Sequence, residues 1–327
     1  MAKAIGLLSG GLDSTLAVKI IIDQGIEVVV LHFITPFCTC TRNGCRNAAK
    51  IVAERWGIEI KVIGFKDEYI KLVKNPRFGY GRNMNPCIDC RIYMFSQARR
   101  YLEETGADFV FTGEVLGQRP MSQNLWAMKL IEQESGLTGR LLRPLSAQFF
   151  EPTVPEKTGL VNRETLLAIQ GRTRKPQITL AQQKHIFNYP CPAGGCRLTD
   201  PNFARRLRES FKYNEDSITA VNLLRYGRHF RLPGGAKLIV GRNELENRIL
   251  KAYTITSRFL LLEAKDVPGP VALLTAPALE TDIRLAATIC LSYSDCHTQD
   301  QHPVVINQYN QLLLVPVPKE KIKKFLI

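Results

Sequence analysis

Over its first 112 residues the chain alternates between two hydrophobic periods. Ala4-Ile5-Gly6-Leu7-Leu8 is a short apolar run closed by a glycine turn, the pattern of a strand buried on both faces of a parallel sheet. Residues 14–24 then carry apolar side chains at helical spacing, and Gly25 supplies a stop. Residues 27–33, EVVVLHF, form a second β-branched run. Residues 47–56 predict a helix ended by Gly57, and residues 59–63 a third strand. An amphipathic stretch over 91–105 precedes Gly106, and residues 108–112 give a fourth strand. This alternation predicts an α/β fold with an open parallel sheet. In such sheets ligands bind beyond the carboxyl ends of the strands. The loop after the first strand, the loop beginning at His32 and Phe33, and the loop beginning at Thr112 all fall on that edge, so these residues are candidate ligand contacts.

The pattern changes after about Pro201. A helix rich in arginine (Arg205, Arg206, Arg208) leads into short strands and turns such as Pro233-Gly234-Gly235, Val267-Pro268-Gly269-Pro270 and the apolar run 312–315. The expected organisation is therefore an α/β domain over 1–200 and a smaller α+β domain over 201–327. No tandem repeat or low-complexity stretch interrupts either. No apolar run reaches the ~18 residues a membrane helix needs. The first residues enter a strand without a cleavage-type pattern. A cytoplasmic protein with no membrane partner is the expectation.

Composition adds one constraint. The 327 residues are 45% hydrophobic and 23% charged, as in a globular protein. The net charge is +14, and it is spread along the chain. Lys and Arg outnumber Asp and Glu by 26 to 18 over residues 1–200 and by 18 to 12 over 201–327. A shared excess suits a polyanion that lies across both halves, and nucleic acid is the commonest such partner. A basic globular protein without that partner is the alternative.

Ser9-Gly10-Gly11-Leu12-Asp13-Ser14 lies between the first strand and the first helix. Glycines let backbone approach a ligand closely. A helix start offers free N–H groups and a positive dipole end to a phosphate. Ser9 and Ser14 add hydroxyls. Asp13 repels phosphate, so its role is to hold a bridging Mg²⁺. The loop lacks the Gly-Lys-Ser/Thr ending of a P-loop. An ordinary strand–turn–helix is the competing reading.

Nine cysteines are many for a protein in a reducing compartment, and clustering there points to metal or catalysis. Asn85-Pro86-Cys87-Ile88-Asp89-Cys90 places a C-x-x-C just before the predicted helix, where thiols are expected to be acidic. Cys191 and Cys196 follow about 100 residues later. Three readings compete: a structural zinc with four ligands, unligated thiols carrying a persulfide, and an iron–sulfur cluster held by Cys87, Cys90 and one late cysteine. Cys38, Cys40 and Cys45 form a further group without an assigned role. Cys290 and Cys296 are expected bystanders, and His297 and His302 a surface loop.

The six residues 9–14 resemble the signature of the PP-loop ATP pyrophosphatases. That resemblance implies ATP cleavage to AMP and pyrophosphate, with AMP transferred to an oxygen. N-P-C-x-x-C with a late cysteine is similar to the PP-loop tRNA thiolases that hold a [4Fe-4S] cluster by three cysteines. It implies a cluster on Cys87, Cys90 and Cys191, with Cys196 as the competitor for the third position or as a persulfide carrier. Thr112-Gly113-Glu114-Val115-Leu116-Gly117-Gln118 resembles the T-G-E-x-L-G-Q of the tRNA 4-thiouridine synthase family, and Ser122-Gln123 and Leu141-Leu142-Arg143-Pro144-Leu145 continue the likeness. The likeness adds Gly113, Gln118 and Arg143 to the expected ATP or base contacts. It implies tRNA as substrate, with free sulfide or a cysteine desulfurase as sulfur donor. The 2-thiouridylases of the same superfamily are the runner-up, and an adenylating amide ligase is a further alternative. The N-terminal RNA-binding domain usual in 4-thiouridine synthases and a rhodanese-like domain are not found in these residues. Residues 237–247, KLIVGRNELEN, resemble the NFACT-R domain, which implies RNA binding by the second half. Gly227-Arg228-His229-Phe230-Arg231 is expected to supply cations for phosphates and an aromatic for stacking.

Overall fold

The computed structural model describes residues 2–39, 45–187, 189, 195–255, 258–296 and 299–327. It divides into two compact units, Met1–Ala204 and Arg205–Ile327.

In the first unit, β1 (Lys3–Leu7), β2 (Glu27–Ile34), β3 (Glu59–Gly64), β4 (Phe109–Thr112) and β5 (Leu141–Leu142) form one sheet in the order β3-β2-β1-β4-β5. Every pairing is parallel. The period-two pleat sends Ala4, Val28, Val30, Phe109 and Phe111 into the core on one face. It sends Ile5, Val29, Leu31 and Val110 into the core on the other. Burial on both faces is why these strands read as unbroken apolar runs. The helices of this unit are α1 (Leu12–Ile22), α2 (Cys45–Arg55), α3 (Asp67–Lys74), α4 (Cys87–Thr105), α5 (Leu125–Glu134), α6 (Val154–Lys157) and α7 (Lys175–Gln183), and α8 (Pro201–Lys212) runs across the division between the units.

Strand order reverses between β1 and β4, so the loops that leave these two strands flank a topological switch point. They meet there closely. A Cβ on Gly113 would stand 2.4 Å from the Ser14 nitrogen and 2.5 Å from the Asp13 carbonyl oxygen. One strand lower, a Cβ on Gly6 would stand 2.5 Å from the Phe111 ring. The sequence pattern anticipates β1–β4 within a residue or two. Helix α4 starts four residues earlier than the pattern indicates, because Pro86 takes the N-cap position and Cys87 opens the first turn. Strand β5, with two residues, is too short to show a period.

In the second unit, β6 (Arg228–Arg231), β7 (Lys237–Val240), β8 (Phe259–Ala264), β9 (Val271–Thr275), β10 (His302–Ile306) and β11 (Asn310–Leu314) form an antiparallel sheet. Its order is β11-β10-β8-β9-β7-β6. The helices are α9 (Ile218–Leu223), α10 (Glu244–Ala252), α11 (Glu280–Ser292) and α12 (Lys319–Ile322). Two expectations change here. Phe230 and His229 are buried, and His229 Nε2 lies 2.8 Å from the Tyr226 carbonyl, so neither offers a stacking face. Arg231 is clamped by Glu209 and Glu215, its Nη1 2.7 Å from Glu215 Oε1, so it is spent inside the unit. His302 opens β10; His297 lies outside the described residues. No described helix is long and apolar enough to cross a membrane.

The contact at Gly113 makes a direct prediction. Gly113→Ala forces backbone apart and is expected to cost about 1–3 kcal/mol or more. Gly64→Ala meets nothing within 4 Å and is expected to stay within about 0.5 kcal/mol of the parent. Denaturant unfolding of both variants checks this, and equal stabilities would contradict the packing described.

Candidate nucleotide and thiol site

Helix α1 lacks a side-chain cap, because Gly11 occupies the N-cap position. Its first intrahelical bond runs from the Thr15 nitrogen to the Gly11 oxygen at 3.1 Å. The N–H groups of Leu12, Asp13 and Ser14 precede it and have no intrahelical acceptor, the condition in which a helix start can receive an anion. The loop is folded by its own hydroxyls. Ser9 Oγ and Ser14 Oγ are 3.1 Å apart, Gly11 N–H donates to Ser9 Oγ at 3.3 Å, and Ser14 Oγ donates to the Gly11 oxygen at 3.0 Å. Gly10 takes φ 78°, a conformation open to glycine at little cost.

Asp13 carries the charge of the loop. Gln118 Nε2 donates to Asp13 Oδ2 at 2.9 Å, and Arg174 Nη2 stands 3.8 Å from the same oxygen. Oδ1 is buried without a hydrogen-bond partner. Burial raises the Asp13 carboxyl above its ordinary value, while the Gln118 hydrogen bond and the charges of Arg174 and Arg119 oppose the rise.

Other expected nucleotide contacts turn inward. His32 is buried with Nδ1 2.8 Å from the Leu8 carbonyl, tying the end of β2 to the end of β1. The Phe33 ring packs 5.7 Å from Phe65. Thr112 Oγ1 accepts from the Glu114 N–H at 3.2 Å and shapes the turn that presents Gly113. Arg143 is 3% exposed, and its donors go to Glu114 Oε2, Glu132 Oε2 and the Met128 oxygen. It therefore supports the loop from beneath, and the expectation of a direct ATP or base contact is corrected on that ground.

Cys87 and Cys90 occupy the first turn of α4, within the helix rather than before it. The Tyr69 hydroxyl donates to Cys90 Sγ at 3.0 Å. Cys196 pairs across an antiparallel bridge with Cys38, between Thr39 N–H to Gly195 O at 3.3 Å and Arg197 N–H to Phe37 O at 2.8 Å. Burial pushes the Cys196 thiol up to about 12, and the thiols of Cys90, Cys87 and Cys38 are close enough to add to the rise. Cys196 is thus the late cysteine that the fold places beside the C-x-x-C. Cys191 and Cys40 lie outside the described residues, as does the side chain of Cys45. The acidity expected of a helix start is also reversed. Burial raises both Cys87 and Cys90, while the nearby Arg91 pulls them down.

Four site residues escape the sequence reading: Tyr69, Arg91, Arg119 and Arg174. Arg91 and Arg119 directly follow Cys90 and Gln118, and that adjacency was the available signal. Tyr69 and Arg174 reach the site only through the fold, the latter because Gly171 N–H bonds to the Leu116 oxygen at 2.7 Å.

Residues 1–148 match the family model described as thiamine biosynthesis protein (ThiI), and residues 227–326 match that of the NFACT protein RNA binding domain. The tRNA-specific 2-thiouridylase MnmA of Clostridium acetobutylicum is 33% identical over 124 residues, 34% of this chain and 35% of that protein. A probable tRNA sulfurtransferase of Thermococcus kodakarensis is 30% identical over 148 residues, 44% of this chain and 36% of that protein. The chain spans about a third of the length of these curated relatives. A solved 4-thiouridine synthetase–RNA complex with bound ATP aligns at TM-score 0.37 and 22% identity, over 68% of this chain and 52% of that one. One chain thus joins a segment that matches the ThiI family model, residues 1–148, to a segment that matches the NFACT RNA binding domain model, residues 227–326.

Proposed function

We propose that the chain thiolates a uridine of tRNA in an ATP-dependent, AMP-forming reaction of the 4-thiouridine type. One observation carries the reading. Gln118 Nε2 donates to Asp13 Oδ2 at 2.9 Å, and the same turn sets Met121 against Gly81, whose N–H bonds to Asn85 just before Cys87, so one turn borders both the 9–14 loop and the segment that leads to the thiols. ATP lies with its phosphates on residues 9–14, where the open N–H groups of α1 meet them. The uracil carbonyl oxygen attacks the α-phosphorus and pyrophosphate leaves. The base then carries AMP, a good leaving group. A sulfur nucleophile presented at Cys87, Cys90 and Cys196 attacks the activated carbon, and AMP departs with the electrons of the C–O bond. With free sulfide the C–S bond replaces the C–O bond directly; with a persulfide delivered by a cysteine desulfurase the outer sulfur attacks, a second cysteine thiol cleaves the S–S bond to release the thiouridine, and a thiol reductant reopens the cysteine disulfide that remains.

Two inorganic groups are expected here. Mg²⁺ fits, because Asp13 Oδ1 is a buried carboxylate oxygen without a partner. When bound it would neutralise phosphate charge beside that oxygen. The [4Fe-4S] cluster expected on Cys87, Cys90 and Cys191 counts among its ligands Cys191, which lies outside the described residues; Cys87, Cys90 and Cys196 are the described thiols that would hold such a cluster or a zinc ion. No described group of three or more His, Cys, Asp or Glu side chains is arranged to hold a metal ion. The steps above use the chain's own cysteines.

A 2-thiouridylase is the second reading, favoured by the 33% identity to a protein of that description. Mass spectrometry of nucleosides from unmodified tRNA incubated with the full chain, ATP and, in parallel, sulfide or a cysteine desulfurase with cysteine and a thiol reductant separates the two. 4-Thiouridine is the expected product, 2-thiouridine would support the runner-up, and no thionucleoside would overturn both. Cys87→Ser and Cys196→Ser are expected to abolish the product while pyrophosphate release continues. Cys296→Ser is expected to leave both unchanged. An amide-forming ligase would instead be indifferent to Cys87→Ser.

Asp13 makes a prediction with a definite sign. Its raised carboxyl keeps its proton to a higher pH in the folded protein than in the unfolded chain, where the ordinary value is 3.8. Ionised Asp13 therefore costs stability above the raised value and costs none below 3.8. Asp13→Asn is expected to melt no lower than the parent at pH 7, with any advantage vanishing as pH falls toward 3.8. The same variant should lose pyrophosphate release by about 100-fold or more, the scale of removing one preorganised electrostatic group.

A further inference from the structure

The segment that joins the two halves of the site is the tight turn after β4. Gly117 takes φ 77°, and its N–H bonds to the Gln123 oxygen. The Gln123 N–H bonds in turn to the Arg119 oxygen at 2.9 Å. A parallel bridge between Leu116 and Gln170 holds the turn from behind. One side of the turn touches the phosphate loop, because Gln118 Nε2 reaches Asp13 Oδ2 at 2.9 Å. The other side touches the approach to the thiols. A Cβ on Gly81 would lie 3.1 Å from the Met121 side chain, and the Gly81 N–H bonds to the oxygen of Asn85 at 2.9 Å. Asn85 also accepts from the Cys87 N–H at 3.0 Å. Arg119 sits between these two anchors.

The polar atoms around this turn are unspent. Arg119 makes no side-chain hydrogen bond or ion pair among the described residues. Arg174 Nη1, Gln118 Oε1 and Asp13 Oδ1 are buried without partners. The residue as a whole keeps an exposed edge, but the Arg119 guanidinium is crowded by protein and by the like charges of Arg91 and Arg174, which lower it from the usual arginine value. Glu114, the acid nearest Arg91 at 3.6 Å, is already shared with Arg143. Arg119 and Arg174 both act on Asp13, two cations against one carboxylate, and leave a positive surplus. A folded chain keeps such a surplus where an anion of more than one charge will occupy it.

Resting on the thiolation reading, we propose that Arg119 is a catalytic residue that binds the α-phosphoryl group, the one that stays on the base as AMP, and that Arg174 binds the departing pyrophosphate. The placement follows from the anchors. Arg174 stands 3.8 Å from Asp13 Oδ2, whereas Arg119 lies in the turn between Gln118, which holds Asp13, and Met121, which packs at Gly81 ahead of Cys87. In the first step the P–O bond to pyrophosphate breaks and Arg174 receives the new charge. In the second the C–O bond to AMP breaks, its electron pair goes to the phosphate oxygen, and Arg119 receives that charge. No redox change accompanies either function.

The test uses equilibrium binding of AMP and of pyrophosphate to the full chain, alongside single-turnover release of pyrophosphate and AMP with tRNA. Arg119→Ala is expected to weaken AMP by about 10- to 100-fold, the scale of losing a charge-assisted contact, and to leave pyrophosphate affinity within about twofold. Arg174→Ala should show the opposite preference, and Arg119→Lys should recover part of the AMP affinity. With tRNA, Arg119→Ala should release pyrophosphate and accumulate adenylated RNA. Unchanged AMP affinity in Arg119→Ala, or equal loss of both ligands, overturns the assignment. If the parent binds both ligands and Arg119→Ala discriminates between them, yet no thionucleoside forms, the thiolation reading fails and the anion assignment stands.

Discussion

The site depends on one close approach. The backbone after β4 comes so near the start of α1 that no side chain fits at Gly113. This contact fixes the 9–14 loop against the turn that carries Gln118 and Arg119. Gln118 then orients Asp13, and Arg119 is held between the loop and the α4 thiols. Two elements nearly 100 residues apart in sequence become one rigid edge of the sheet. The parallel order β3-β2-β1-β4-β5 is what makes the approach possible, since it sets the β1 and β4 loops side by side at the reversal of strand order.

Around that edge the chain buries groups that prefer water. Asp13 is raised by burial, Cys87, Cys90 and Cys196 are raised by burial, and Arg119 is lowered by it. Each costs stability when charged and alone. Together they form a mixed field in which arginines face a carboxylate and thiols. Reaction intermediates with several negative charges suit that field better than water does. The second unit spends its charges differently. Arg231 and Lys237 are matched to Glu209 and Glu215 and serve the fold. The residues expected there to stack on RNA are likewise internal.

Much of the first unit was legible because parallel strands buried on both faces leave continuous apolar runs bounded by glycine, and residues 9–14 fold as the strand–loop–helix turn that their order indicates. The proximity of Cys196 to Cys87 and Cys90 was half legible: a late cysteine was expected, but its spacing did not distinguish it from Cys191. Arg143 misled because an arginine in a motif-like segment looks the same whether its donors face a ligand or Glu114 and Glu132. Arg174 was hidden because its position depends on a bridge between residues 116 and 170, which no local period records. The acidity expected of thiols at a helix start failed for a tertiary reason, the burial of α4 beneath Tyr69 and the segment around Cys196.

If the phosphate loop and the thiols act on one base, activation and sulfur transfer must be coupled in number. Single-turnover incubation of the full chain with tRNA, ATP labelled at the α-phosphate and isotopically labelled sulfide measures both products in the same tube. Equal amounts of AMP and thiouridine are predicted. AMP release without sulfur in the RNA, or thiouridine formed without AMP, would contradict the account.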